Sequence, residues 1–304
     1  MTELPPQLFD RALLRQHRNR SASRIQDYSF LASRAFDDML DRVESITRDF
    51  ERTLILGGGP GLVDMIGKRP VRDKLDWVGQ SDIATNIARQ LDGTRLVLDE
   101  ELLPIADETL DLVLAPLGLH WTNDLPGVLV QINRALKPDG FFAGALFGGS
   151  TLTELRQSLM AAENELSGGV SARVSPLAGT FDMAALLQRA GFAMPVADID
   201  RVTVRYDNVF KLMQDLRGMG ETSVLSDRSR KPATRALFIR AAEIYAERFA
   251  DADGRIRASF EIVHFGGWAP HPDQPKPKRP GSATTRLADA LGVREQSAGE
   301  KAGG

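Results

Sequence analysis

The sequence predicts an α/β fold: a doubly wound, mostly parallel sheet with a helical cover inserted in the C-terminal half. Three observations carry this expectation. Short apolar runs alternate with helix-length stretches between residues 53 and 147. The first run, Leu54-Ile55-Leu56, enters a glycine-rich turn, Gly57-Gly58-Gly59-Pro60-Gly61, which opens a helix carrying Leu62, Val63, Met65 and Ile66. After Gly148 the alternation loosens, and helical stretches fall between two long strand-like runs. The 304 residues are ample for a real core, and 42% hydrophobic with 26% charged residues is ordinary for a globular chain.

In chain order, residues 8 to 24 set Phe9, Leu13 and Leu14 among Arg11, Arg15, His17, Arg18, Arg20 and Arg24. This stretch reads as a solvated amphipathic helix, or alternatively as a lid or a docking surface for an acidic partner. Residues 25 to 50 read as one helix with Phe30, Leu31, Phe36, Met39, Leu40 and Val43 on one face. Strands are expected at 53–56, 75–78, 95–98, 110–115 and 141–147. Helices are expected at 81–91 and 125–136, the latter stopped by Lys137-Pro138-Asp139-Gly140. Further helices are expected at 151–166, 181–189, 209–217 and 232–249. The runs 196–206 and 255–265 read as an antiparallel pair completing the sheet. From Pro270 the chain turns proline- and lysine-rich, as a linker or mobile tail does. The expected organisation is therefore a basic helical lid (1–50), a cofactor-binding core (51–150), the rest of the same domain with its substrate-facing cover (151–268), and a tail (269–304).

A net charge of -3 gives no support for general nucleic-acid binding. The absence of cysteine excludes disulfides, thiolate metal sites and a cysteine nucleophile, and fits a cytoplasmic protein. The N-terminus has no basic-then-apolar signal pattern, and no apolar run is long enough to cross a bilayer. His17, His120, His264 and His271 have no ligand-like spacing, so no metal is expected.

Gly57, Gly59 and Gly61 form G-x-G-x-G, with Leu62 where a dinucleotide fingerprint has a third glycine or alanine. That spacing favours S-adenosylmethionine (SAM) over NAD, with a ligand-free glycine turn as the alternative. Asp82 lies past the second strand, where a carboxylate can accept both ribose hydroxyls and Ile83 can pack on adenine; the alternative is a helix cap. Asp99 and Glu100 follow the third strand, facing the adenine amino group or else solvent. Asp111 reads as fixing a turn or helix end. His120 and Trp121 lie just past the fourth strand, with Asn123 and Asp124 close behind. His120 there can act as general base or orient a substrate, and Trp121 can wall a pocket or meet a sulfonium or guanidinium; the alternative is that both pack a loop.

The segment 54 to 61, Asp82, Asp99-Glu100 with Leu103-Pro104, Leu110 to Val113 and Leu136 to Gly140 resemble the Rossmann-like, seven-stranded class I SAM-dependent methyltransferases. More specific stretches resemble the assembly factor 5 family of respiratory complex I (NADH:ubiquinone oxidoreductase). These are Leu8 to Arg11, Gln80 to Ala84, Leu119 to Pro126, Phe147 to Leu152, Met213 to Glu221 and Pro280 to Thr284. The resemblance spans nearly the whole chain. It implies SAM as cofactor and a role in complex I assembly through modification of an arginine on the iron–sulfur subunit beside the quinone site, by hydroxylation or by methylation. His120 and Trp121 are then the expected reacting-centre residues. Gly57, Gly59, Gly61, Asp82, Ile83, Asp99 and Glu100 are the expected cofactor contacts, and any membrane association runs through the partner. The malonyl-carrier-protein methyltransferases are similar too, and an O-methyltransferase of that kind or of a small molecule is the second reading. Ile55 stands where methyltransferases of this class usually have an acidic residue, so a non-catalytic assembly chaperone is the third.

Overall fold

The computed structural model describes residues 7–175, 180–229, 232–275, 282 and 285–294. Residues Met1–Pro270 form one compact unit and His271–Gly304 a second; in the latter the described helix is Leu287–Leu291. Half of the expected tail lies outside the described residues, including Pro280, Gly281, Ala283 and Thr284.

Helix α1 (Arg11–Ser21) is capped by Asp10, whose carboxylate accepts the Leu13 N–H at 2.9 Å. The expected single helix over 25–50 is in fact three pieces. A 3-10 turn spans Ile25–Tyr28, α2 spans Phe30–Ser45, and Phe50 already belongs to strand β1 (Phe50–Leu56). Leu31, Phe36, Met39, Leu40 and Val43 are buried as their spacing requires, whereas Phe30 stays exposed.

Next come α3 (Leu62–Gly67), β2 (Leu75–Asp82), a short α4 (Thr85–Ala88), the edge strand β3 (Thr94–Val97) and β4 (Leu110–Pro116). Helix α5 (Leu125–Ala135) is capped by Asp124. The Lys137-Pro138-Asp139-Gly140 segment, expected only to stop that helix, lies within β5 (Leu136–Phe147), where Leu136 pairs with Leu110 and Asp139 takes φ of 65°. Then follow α6 (Thr153–Ser167), α7 (Thr180–Arg189), β6 (Ala193–Tyr206), α8 (Val209–Met219), α9 (Arg235–Phe249) and β7 (Ile256–Trp268).

The seven strands run in the order β3-β2-β1-β4-β5-β7-β6. The first five pair in parallel, and β7 lies antiparallel between β5 and β6. Strand alternation sorts side chains between two cores. Ile55, Leu112, Leu114, Phe141 and Ala143 face α2, α3, α6, α8 and α9. Leu54, Leu56, Val113, Ala115 and Phe142 face α5 and α7. Ile55 thus lies wholly in the core. Asp111 ties strand starts together, accepting the Arg52 N–H at 3.0 Å and Lys137 Nζ at 3.1 Å. Strand order reverses beside β1 and β4, which leaves a crevice beyond their carboxyl ends.

Candidate functional site

The glycine turn occupies that crevice. Gly57, Gly58, Gly59 and Gly61 all have φ between 76° and 89°, a region other residues enter only with strain. A Cβ on Gly58 would meet the Pro116 ring at 2.6 Å and Leu62 at 2.7 Å, so bare backbone is required there. The Gly57 N–H donates to the Ser81 carbonyl at 2.9 Å and holds the turn against β2.

Three carboxylates gather at the turn. Asp82 ends β2 fully buried, and its Oδ1 accepts the Ala84 N–H at 2.8 Å. Glu100 is buried beside Gly57, a Cβ on which would lie 4.0 Å from Glu100 Oε1. Asp99 is a quarter exposed. Ile83 is buried at the end of β2.

Arginines of α1 lie on all three carboxylates. Arg18 donates twice to Asp82, from Nη2 to Oδ2 at 2.5 Å and from Nε to Oδ1 at 3.2 Å. Arg11, two helical turns earlier, donates from Nη2 to Asp99 and to Glu100, each at 2.5 Å. The solvated-face alternative therefore fails for these two residues. Burial pushes the Glu100 carboxyl above its ordinary range against the pull of Arg11, with nearby Asp82 adding to the rise. Burial would lower Arg18, but the Asp82 charge outweighs it and holds the guanidinium above its usual range.

The second half of the site assembles around a residue that local sequence signals did not mark. A 3-10 turn, Leu119–Trp121, follows β4. His120 Nε2 lies 2.8 Å from Glu221 Oε2, and Trp121 Nε1 donates to the same oxygen at 2.7 Å. Glu221 is placed by the end of α8. Gly220 caps that helix at φ of 80°, and the Glu221 N–H returns to the Leu216 carbonyl at 2.8 Å, which turns the chain back sharply. Burial pushes the Glu221 carboxyl up, but the His120 ring, Arg18 and the Trp121 hydrogen bond outweigh it and hold it below the usual range.

A cavity of about 270 Å³ opens beside Glu221, walled by Trp121, Phe147, Leu152, Leu155, Met213 and Phe238 among others. A smaller space of about 40 Å³ lies beside Gly58, lined by Arg18, Tyr28, Pro116 and Met219. Phe147 and Glu221 border both. Trp121 faces the larger cavity, whereas His120 stands behind Glu221 with its side chain 2% exposed. Phe9 meets the Trp121 ring edge-on at 5.3 Å.

The segment before α1 is fastened to the loop after α8. Phe9 bridges Leu225, the Asp10 N–H donates to the Val224 carbonyl at 2.8 Å, and the Ser226 N–H donates to the Leu8 carbonyl at 2.9 Å. His17 Nδ1 lies 2.6 Å from the Thr222 hydroxyl. Among the described residues no group of three or more His, Asp or Glu side chains is placed to hold a metal ion, and no helix is long and apolar enough to cross a membrane.

The crevice, glycine turn and strand order define a class I methyltransferase fold, and residues 78–144 match the methyltransferase domain family. A phosphoethanolamine N-methyltransferase of Haemonchus contortus, solved with S-adenosylhomocysteine, superposes with a TM-score of 0.52 at 16% identity, covering 85% of this chain and 60% of that one. The mitochondrial arginine-hydroxylase NDUFAF5 of Rattus norvegicus is 39% identical over 93% of this chain and 83% of its own length. This chain belongs to the NDUFAF5 family. More distantly, the malonyl-[acyl-carrier protein] O-methyltransferase of Gallionella capsiferriformans is 29% identical over 87% of this chain and 93% of its own.

Proposed function

We propose that this chain binds SAM and acts in the assembly of respiratory complex I by modifying an arginine of the iron–sulfur subunit near the quinone site. The observation that carries the reading is the shared wall. Phe147 and Glu221 border both the space at the glycine turn and the apolar cavity, so a cofactor on one side would meet a substrate side chain on the other.

The donor set fits the cofactor. A glycine turn of positive φ leaves backbone open to a ligand, Asp82 offers two acceptors to ribose hydroxyls, and Asp99 and Glu100 offer acceptors to an adenine amino group. Gly57, Gly59 and Gly61 would shape the methionine end, and Ile83 would pack on the adenine face. With α1 in place, Arg18 and Arg11 occupy these carboxylates, so the arginines give way or share them when the cofactor binds. Bound SAM would supply an electrophilic methyl on a sulfonium. Trp121 would wall the reacting centre, and His120 would fix Glu221 from behind.

Two chemistries suit a buried arginine. Methylation moves the sulfonium methyl to a guanidino nitrogen, which loses a proton. Hydroxylation, the activity in the relative's name, inserts an oxygen atom into a bond to hydrogen. It requires either molecular oxygen with a two-electron reductant, the second oxygen atom leaving as water, or a peroxide as two-electron oxidant. The domain organisation reads accordingly, with 1–50 as lid, 51–150 as cofactor core, 151–268 as the rest of the domain with its cover, and 269–304 as a tail; the lid and the cover would receive the partner. The reading places the protein in the cytoplasm, meeting the membrane only through its partner.

The test joins calorimetric titration of SAM with mass spectrometry of the iron–sulfur subunit co-expressed with this chain. The expected results are cofactor binding and an arginine heavier by one oxygen or one methylene. An unmodified subunit, together with turnover of a malonyl thioester, would replace this reading with the carrier-protein one.

A further inference from the structure

We propose that Glu221 is the residue that grips the guanidinium of the substrate arginine, with the Trp121 ring beside it and the aliphatic stem lying in the apolar cavity. The inference rests on the reading that this site modifies arginine, and it names the group that selects it.

Glu221 supplies the only carboxylate among the described residues lining that cavity, and its side chain is 10% exposed. A carboxylate kept ionised at an apolar wall is costly unless a cation or strong donors meet it. Its present donors, His120 Nε2 and Trp121 Nε1, both use Oε2. Among the described residues Oε1 receives no hydrogen bond. Arg18, which also acts on Glu221, is committed to Asp82 through both Nε and Nη2. Oε1 is therefore left to meet a positive partner from outside the chain.

The rest of the wall suits a guanidinium better than an ammonium. A guanidinium is planar, weakly hydrated and carries five donors. The Ser175 and Ser223 hydroxyls line the same cavity, buried and without hydrogen-bond partners. They can accept the N–H groups that Glu221 leaves over. Trp121 offers an aromatic face whose edge position is fixed by its bond to the same carboxylate.

The other occupant, an acyl chain ending in a carboxylate, meets the wrong charge at Glu221. Two arginines line the cavity as well: Arg173 is tied to Glu163 at 2.6 Å, and Arg217 is exposed at its rim, so the charge facing the interior is that of Glu221. Because Glu221 and Phe147 also border the space beside Gly58, a guanidinium held here would lie next to the glycine turn.

His120 is a positioning residue in this scheme. A carboxylate accepts only, so the proton in its bond to Glu221 sits on Nε2. Among the described residues Nδ1 is buried and without a hydrogen-bond partner.

The experiment compares Nα-acetyl-arginine amide with its uncharged isostere, Nα-acetyl-citrulline amide, by saturation-transfer NMR on the full chain with S-adenosylhomocysteine present. Wild type is expected to favour the arginine amide by about tenfold or more, the worth of a charge-assisted hydrogen bond. Glu221→Gln is expected to erase that preference while still unfolding in a single cooperative urea transition, at a lower midpoint than wild type.

Equal binding of the two amides by wild type would overturn the proposal without recourse to any variant. Retention of the preference by folded Glu221→Gln would also overturn it, while leaving arginine modification itself to the mass measurement. Preference for a malonyl thioester over both amides would overturn this proposal and the arginine reading together.

Discussion

Replacing Asp82 with Asn isolates the energy of the ion pair beneath α1. The change is isosteric and keeps an oxygen to accept the Ala84 N–H, so what it removes is the negative charge facing Arg18. Asp82 is fully buried and the Arg18 side chain is 11% exposed, so the guanidinium cannot recover its hydration without leaving the crevice. Breaking one half of such a pair costs about 3–5 kcal/mol, against a total stability of about 5–15 kcal/mol for a typical domain. At about 2 °C per kcal/mol in a unit of this size, the melting temperature should fall by about 6–10 °C. The double change Arg18→Met with Asp82→Asn removes both charges, keeps the acceptor for the Ala84 N–H and should regain most of the loss, because no unpaired charge is left buried. Urea unfolding of wild type, the single variant and the double variant measures this directly. A single variant within about 1 kcal/mol of wild type, or a double variant less stable than the single, would refute the claim that charge pairing holds α1 down.

Gly218→Ala should destabilise despite alanine's better helix propensity. Its Cβ would lie 2.2 Å from the Tyr28 ring, which Gln214 holds through a 3.1 Å hydrogen bond to the hydroxyl. Overpacking of about 1–3 kcal/mol therefore exceeds the roughly 1 kcal/mol gained in the helix, and a raised urea midpoint would contradict this. For pH, Glu221 has its folded value depressed, so its share of stability is complete above the unfolded carboxylate range and is lost as pH falls through the lower folded value. Glu100, raised by burial, acts in the opposite sense and favours the fold as pH falls through its folded value. Glu221→Gln should therefore flatten the acid limb of stability measured by urea unfolding across pH, and an unchanged limb would show that Glu221 titrates alike in both states.

The doubly wound class was readable because short continuous apolar runs such as Leu54-Ile55-Leu56 and Leu112 to Ala115, separated by helix-length stretches, mark strands buried on two faces, whereas their order in the sheet came from the structure. Boundaries were lost where no glycine or proline marks them. Residues 25–50 contain neither, so the turn at Ile25–Tyr28 and the start of β1 merged into one apparent helix. Conversely, Pro138 and Gly140 suggested only a stop, although both are accommodated inside β5. The helix expected at 81–91 shrank to Thr85–Ala88 because β2 runs on to Asp82. At the site, the glycine turn and Asp82 announce themselves through spacing. Arg11 and Arg18 were visible as basic residues, and their separation of two helical turns was the signal that they share a face. Glu221 was marked only as the end of the family-like stretch Met213 to Glu221; its pairing with His120, 101 residues away, has no sequence signal and is made by the αL turn at Gly220.

The fastening of the N-terminal segment to the loop after α8 makes the two halves of the crevice thermodynamically dependent. The same short helix presents Arg11 and Arg18 to the carboxylates, and through Phe9, Asp10 and His17 it holds the stretch from Thr222 to Leu225 that follows Glu221. A molecule that competes with Arg18 for Asp82 therefore loosens the neighbourhood of Glu221 and Trp121. Linkage then demands the converse: whatever settles against Glu221 must alter, by the same factor, the affinity of whatever settles against Asp82. Order of addition would change the path by which the crevice fills and leave unchanged the free energy of filling it.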